Sequence, residues 1–258
     1  MDLNLRDKVA IVGGASMGIG LGIASRLAAE GTRLMIFARR EPALKEAAEG
    51  LQRQHGVAVE WCTADIRDRD DSSRIVQRAV ERFGRLDILV NNDGAPPLGD
   101  IESFDDTAWQ KAVEQNLFSV IRMVRAALPH LKAQGGSILN ISAISAIQPI
   151  AGFGLSVATW SGLIGYAKTL SLELARHRIN VNTICPGYID TTRLQKVFAA
   201  GGQDPLAMRK KLEDEVPMGR IGSVEDIANM VALLVSPAGA YVTGCSIPID
   251  GGLFRGLR

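Results

Sequence analysis

Short apolar runs separated by helix-length amphipathic stretches recur along the whole chain, and this alternation restricts its fold more than any other feature. Val9–Val12, Leu34–Phe37, Val57–Cys62, Leu86–Val90, Ser137–Ile141, Ile179–Cys185 and Ser246–Ile249 read as strands. Their apolar character is nearly continuous, with little in/out alternation, as in strands buried on both faces. Strands joined by connectors long enough to hold a helix pair in parallel through right-handed crossovers. The expectation is an α/β chain with one doubly wound, seven-stranded parallel sheet and helices on both faces. With 258 residues and no Pro/Gly/Ser-rich linker or shift in composition, residues 1–258 are expected to form one domain.

Charge narrows the range of partners. With 29 Lys+Arg against 28 Asp+Glu, the chain lacks the basic footprint of a nucleic-acid binder, and a small-molecule ligand fits better. Cys62, Cys185 and Cys245 lie far apart in sequence and form neither a disulfide framework nor a metal-ligand cluster with His55, His130 and His177. Met1–Lys8 has no apolar signal-like core, and no apolar run approaches the roughly 18 residues that cross a bilayer. The expectation is a cytoplasmic chain with reduced thiols and no metal, membrane or nucleic-acid partner.

The first crossover carries the sharpest local motif, Gly14-Ala-Ser-Met-Gly18-Ile-Gly20, directly after the first strand and opening a helix expected to reach Glu30. A helix N-terminus offers unpaired N–H groups and the positive end of its dipole, and residues without side chains let a pyrophosphate approach that backbone. A tight turn that merely packs is the alternative, and the strand-turn-helix setting argues against it. Strand two ends at Ala38-Arg39-Arg40, where a fold that selects NAD usually places an acid for the adenosine ribose. Two guanidiniums there suit a 2′-phosphate, which favours NADP(H) over NAD(H). A solvated strand end is the bland alternative for the same two arginines.

Six features in register carry a resemblance to the short-chain dehydrogenase/reductase family over nearly the whole chain. They are the Gly14/Gly18/Gly20 loop; Asp65 in Ala64-Asp-Ile-Arg; Asn91-Asn-Asp-Gly94; Asn116 in Gln115-Asn-Leu; Pro186-Gly187; and Tyr241-Val-Thr-Gly with Asp250-Gly-Gly. The resemblance implies a Rossmann-type fold and cofactor contacts from Gly14, Ser16, Met17, Gly18, Ile19, Gly20, Arg39, Arg40, Asp65, Ile66, Asn92, Gly94, Pro186 and Gly187. Asp65 would contact adenine. It also implies a homo-oligomer, with a tetramer expected. Long apolar-rich helices over Trp109–His130 and Ser156–His177, and a C-terminal segment ending Gly251-Gly-Leu-Phe254, agree with that.

For catalysis, the resemblance implies a Ser that orients a carbonyl, a Tyr that transfers the proton, and a Lys four residues on that lowers the Tyr pKa. A phenol is a poor base at neutral pH unless a nearby cation favours the phenolate. Gly162–Ala175 resembles the helix that follows Tyr-x-x-x-Lys, which places Ser156 at the Tyr position and Trp160 at the Lys position. Asn140-Ile-Ser-Ala143 resembles Asn-Ile-Ser-Ser, which places Ala143 at the Ser position; Ser142 is expected to face the other side of its strand. No other Tyr-x-x-x-Lys rescues the pattern. Of the family's four catalytic positions only Asn116 keeps its residue, and the resemblance also gives it a structural job, bonding main chain at a helix irregularity.

The remaining candidates are Asp93 as an acid or base, Ser145, Ser156 and Thr159 as hydrogen-bonding hydroxyls, and Tyr188 as the best surviving phenol. Asn116, Ser156 and Tyr188 are the catalytic candidates carried forward. Residues 191–222 resemble a substrate lid, where Leu194, Val197, Phe198, Leu206, Met208 and Leu212 would favour a partly apolar ligand; an amphipathic helix packed on the body accounts for them equally. Three readings stay open. The first is an NADP(H)-dependent oxidoreductase with a degenerate triad, acting on an activated carbonyl or conjugated double bond. The second is a non-redox lyase or isomerase, and the third an inactive nucleotide- or ligand-binding protein.

Overall fold

The computed structural model describes residues 2–92, 94, 96–192, 194–195 and 204–257. Its seven strands are β1 (Val9–Gly13), β2 (Arg33–Ala38), β3 (Val59–Thr63), β4 (Ile88–Asn91), β5 (Gly136–Ile141), β6 (Ile179–Pro186) and β7 (Ser246–Ile249). They form one all-parallel sheet in the order β3-β2-β1-β4-β5-β6-β7, the doubly wound topology expected. The chain winds outward from β1 to β3, returns to β4 beside β1, and then winds the other way. This reversal opens a crevice above the carboxyl ends of β1 and β4.

The absence of in/out alternation has a direct cause. Successive strand residues feed two different cores, so both parities must be apolar. Ala10, Val12, Leu34 and Ile36 face a core shared with α1 (Gly18–Ala29), α2 (Glu41–His55) and α8 (Val224–Val235), through Ile23, Leu27, Leu44 and Ile227. Val9, Ile11, Met35 and Phe37 face the opposite core, built with α3 (Asp71–Phe83), α5 (Ser119–Gln134) and α6 (Gly154–Leu174), through Ile75, Val124 and Leu163.

Several boundaries differ from the sequence pattern. Val57 precedes β3, whose pairing with β2 begins at Leu34 and Val59. Leu86 precedes β4, because Asp87 turns its carboxylate onto the Val9 N–H (2.9 Å) and Arg85 (2.6 Å). The helix expected over Trp109–His130 is two helices, α4 (Asp106–Val113) and α5, divided by a π turn at Glu114–Phe118. The helix expected from Ser156 to His177 starts at Gly154, and its last turn, Ala175–His177, tightens to 3-10.

Helix α8 backs the crevice indirectly. A Cβ on Gly22 of α1 would lie 3.0 Å from the Val224 Cβ, so α1 rests on the first turn of α8. That turn is closed by a capping box: Asp226 N–H donates to Ser223 Oγ (3.3 Å), and Ser223 N–H donates to Asp226 Oδ2 (2.7 Å). Arg220 adds an ion pair at 2.7 Å and, with the Ser223 N–H bond, holds the Asp226 pKa down at about 2 from an ordinary 3.8. A depressed carboxylate stabilises the fold above its unfolded pKa, and that stability is lost as pH falls toward the folded value. Asp226→Asn should therefore lower stability by about 1 kcal/mol at pH 7, a value discounted for partial exposure. Denaturant melts should show the deficit narrowing as pH drops below about 4, and a deficit constant from pH 7 to pH 3 would contradict the assignment.

Candidate functional site

The loop from β1 into α1 is shaped by close backbone approach. Gly14 has φ of +60°, and a Cβ there would collide with the Asn92 carbonyl oxygen. At Gly20 a Cβ would lie 2.6 Å from Asn92 Nδ2 and 2.7 Å from the Gly13 carbonyl oxygen. Asn92, just past β4, donates through Nδ2 to that same carbonyl (3.0 Å), joining the two strands that flank the crevice. The N-cap residue Met17 makes no side-chain cap, and the first turn of α1 carries no acid, so its N–H groups remain available to an anion. Ser16 and Ile19 are half-buried in the same turn. The glycine cradle and open helix end fit a pyrophosphate.

The next strands present charge at the same edge. Arg39 and Arg40 are exposed at the end of β2, and Arg40 Nη2 donates to Met17 Sδ (3.3 Å) above the glycine loop. Asp65 follows β3 with Ile66 buried behind it. The Asp65 carboxylate is paired with Arg67 at 2.5 Å, and that hydrogen bond holds its pKa below the ordinary carboxylate value, with Arg39 adding to the effect.

The positions matched to catalysis lie on the other side of the crevice. Ala143 follows β5 half-buried; Ser156 and Trp160 are buried on α6 at 2% and 7% exposure. Trp160 joins the core cluster built around α3, α5 and α6, and its Nε1 has no hydrogen-bond partner. Ser142 Oγ donates to the Ile184 carbonyl (3.1 Å) and lies 3.2 Å from Cys185 Sγ, so its hydroxyl is engaged by β6. Asn116 sits in the π turn, where its Nδ2 donates to Thr159 Oγ1 (2.8 Å), whose own proton goes to the Leu155 carbonyl (2.7 Å). Its Oδ1 is buried without a partner, pressed so close to Gly94 (φ +114°) that no Cβ would fit there. Ser145 Oγ is a further buried orphan. Asp93 lies outside the described residues.

Beyond β6, Pro186 and Gly187 carry the chain past Asp250, and a Cβ on Gly187 would lie 2.7 Å from the Asp250 Cβ. Tyr188 donates to Glu215 Oε2 (3.0 Å) at the end of α7 (Pro205–Glu215). Burial and that carboxylate push its pKa up to about 12. Asp190 pairs with Arg209 of α7 at 2.7 Å, a second clamp. Of the expected lid residues, Leu206 is exposed, Leu194, Met208 and Leu212 are half-buried, and Val197 and Phe198 lie outside the described residues. Sequence reading missed Thr191, whose methyl would lie 3.7 Å from a Cβ on Gly18 and which bridges this segment to the glycine loop; a hydroxyl shortly after Pro186-Gly187 is the signal available for it. Among the described residues no three His, Cys, Asp or Glu side chains gather as metal ligands, and no helix is long and apolar enough to cross a membrane.

Known proteins share this fold and much of its sequence. Residues 14–254 match the family described as enoyl-(acyl carrier protein) reductase. The chain is 34% identical to a 3-oxoacyl-(acyl-carrier-protein) reductase of Chlamydia muridarum, covering 98% of this chain and 100% of that one. It is 36% identical to dehydrogenase/reductase SDR family member 4 of Caenorhabditis elegans, with 95% of each chain covered. Among solved structures it resembles L-sorbose reductase from Gluconobacter frateurii, complexed with NADPH and L-sorbose, at 33% identity and a TM-score of 0.96 over 100% of both chains.

Two glycine substitutions separate crowding from propensity. Gly20→Ala forces a methyl against two backbone carbonyls and should cost about 1–3 kcal/mol and weaken dinucleotide binding more than tenfold. Gly50→Ala, in α2 with nothing within 4 Å of the added Cβ, should stabilise by about 0.5–1 kcal/mol and leave binding unchanged. Chemical denaturation with parallel cofactor titration reads both; equal effects at the two positions would refute the close-approach explanation.

Proposed function

Because this chain belongs to the short-chain dehydrogenase/reductase family, we propose that it is a single-domain, NADP(H)-binding oxidoreductase that lacks the Ser-Tyr-Lys machinery and acts on an activated carbonyl or conjugated double bond. The observation that carries this reading is the edge formed by the glycine cradle, the uncapped end of α1 and the Arg39–Arg40 pair. Gly14, Ser16, Gly18, Ile19 and Gly20 would take the pyrophosphate, Met17, Arg39 and Arg40 the 2′-phosphate, and Asp65 and Ile66 the adenine side. Asn92, Gly94, Pro186 and Gly187 would line the path toward the nicotinamide. The relatives' names describe reduction of ketoacyl and ketose carbonyls, which supports a carbonyl or related acceptor.

A nicotinamide dinucleotide supplies or takes a hydride when bound. The residues of this chain then decide what becomes of the proton, and they supply little help. Ala143 has no donor to orient a carbonyl. Ser156 is an ordinary alcohol, and Trp160 has one N–H in place of a cation. Tyr188, held near pKa 12 by burial and Glu215, is a weak acid at neutral pH, so it is not assigned the proton transfer. With no tuned acid at these positions, efficient turnover is restricted to acceptors that need little acid assistance. The buried, unpartnered indole of Trp160 also favours a second reading, nucleotide binding without turnover.

Titration calorimetry should show NADP(H) bound at least tenfold more tightly than NAD(H), about 1.4 kcal/mol, with Arg39→Ala/Arg40→Ala erasing the difference. Following NADPH absorbance, simple ketones should turn over well below about 1 per second. Ala143→Ser/Ser156→Tyr/Trp160→Lys should gain far more than the three single changes combined, since such residues act as one unit. Wild-type ketone reduction at ordinary rates would overturn the degenerate site, and no turnover of enones or activated carbonyls would leave the binding reading.

We also propose a homo-oligomer, in the form of a tetramer, because Phe118 (47%), Leu172 (73%) and Tyr241 (104%) are strongly exposed on the outer helices and before β7. Light scattering should return a multiple of the 27.6 kDa chain mass at micromolar concentration; a monomer mass would refute it.

A further inference from the structure

The carboxyl ends of β1, β2 and β3 lie side by side and lead into the glycine loop, Arg39–Arg40 and Asp65–Arg67 respectively. At the third of these the acid is paired with Arg67 while its side chain stays 35% exposed. Arg67 Nε donates to Asp65 Oδ1 (2.9 Å) and Oδ2 (3.2 Å), Nη2 donates to Oδ2 (2.5 Å), and the Arg67 N–H adds a bond to Oδ1 at 3.1 Å. The turn beneath is fixed as well: Asp65 N–H donates to Asp71 Oδ2 (2.7 Å), and Asp68 N–H donates to the Asp65 carbonyl (2.7 Å). Both carboxylate oxygens are therefore occupied by a side chain one turn of backbone away, and the group stays ionised because Arg67 first and Arg39 second favour its charged form.

An ionised acid beside Arg39 would oppose a 2′-phosphate, which carries close to two negative charges. It would also accept a hydrogen bond from the free 2′-hydroxyl, the one group of the adenosine half in which the two cofactors differ. Pairing it with Arg67 reverses both tendencies. We propose that Arg67 is a specificity-determining positioning residue: by neutralising Asp65 it lets Arg39 and Arg40 select the 2′-phosphorylated nucleotide. This rests on the NADP(H) reading above and adds to it that the preference depends on a residue two positions beyond the strand-three acid as well as on the arginines of strand two.

The test measures affinities of NADPH, NADH, 2′,5′-ADP and 5′-ADP by fluorescence or calorimetric titration, with no turnover needed. Arg67→Ala should weaken NADPH and 2′,5′-ADP more than tenfold while NADH and 5′-ADP hold or tighten. Asp65→Asn/Arg67→Ala should restore the preference, because no unpaired charge remains. Arg67→Lys should keep most of it. Parallel loss for all four ligands in Arg67→Ala would mean a structural role only, an unchanged ratio would mean no role, and selective loss that the double variant fails to restore would mean direct phosphate contact; each overturns masking. A wild-type protein that binds NADPH and NADH equally would overturn the cofactor reading and masking with it, whereas a wild-type preference that survives Arg67→Ala overturns masking alone.

Discussion

The hydrogen bond from Asn92 Nδ2 to the Gly13 carbonyl, and the lack of room around it, organises the carboxyl edge of the sheet. It joins the loop after β1 to the loop after β4 at the point where the winding direction reverses. Gly14 and Gly20 are obligatory on either side because any Cβ would meet backbone or the Asn92 amide. With the loop drawn in this way, the uncapped N–H groups of α1 face the crevice, and the ends of β2 and β3 bring Arg39, Arg40, Asp65 and Arg67 to the same rim. The anion-binding half of the site thus follows from one close approach plus the order of the strands.

The other half is built on different terms. Among the described residues, Asn116 Oδ1, Ser145 Oγ and Trp160 Nε1 are buried without a hydrogen-bond partner, as are Arg33 Nε and Ser72 Oγ elsewhere in the fold. Asn116 keeps one good contact, to Thr159 Oγ1, through a π turn that redirects the chain between α4 and α5. Irregularities of this kind concentrate at functional sites. The region around α6 thus holds polar atoms among apolar neighbours, while at the opposite edge the N–H groups that open α1 are left uncapped.

The strands, the parallel topology and the glycine loop were legible in the sequence because they rest on local rules: both parities apolar for a doubly covered strand, and no side chain where φ is positive or backbone crowds. The register that sets Ala143, Ser156 and Trp160 opposite the family's catalytic positions rests on motifs on either side of them and belongs to the sequence comparison, not to the fold. The division of the helix over Trp109–His130 was not legible. Glu114–Phe118 contains neither Gly nor Pro, and its π geometry answers to packing against α6 and not to propensity. The engagement of Asn116 with Thr159, 43 residues away, belongs to the same class.

The sequence alone determined the alternating α/β architecture and the glycine-rich turn after the first strand, because each is set by residues within a few positions of one another. Tertiary structure decided which long polar side chains are already occupied. Tyr188 is spent on Glu215, 27 residues on, and Asp190 on Arg209; Asp65 is paired with Arg67, with Arg39 of the neighbouring strand in its field. Hydrophobic periodicity is written along the chain, but a charged group's partner depends on which ends of strands and helices the fold brings together.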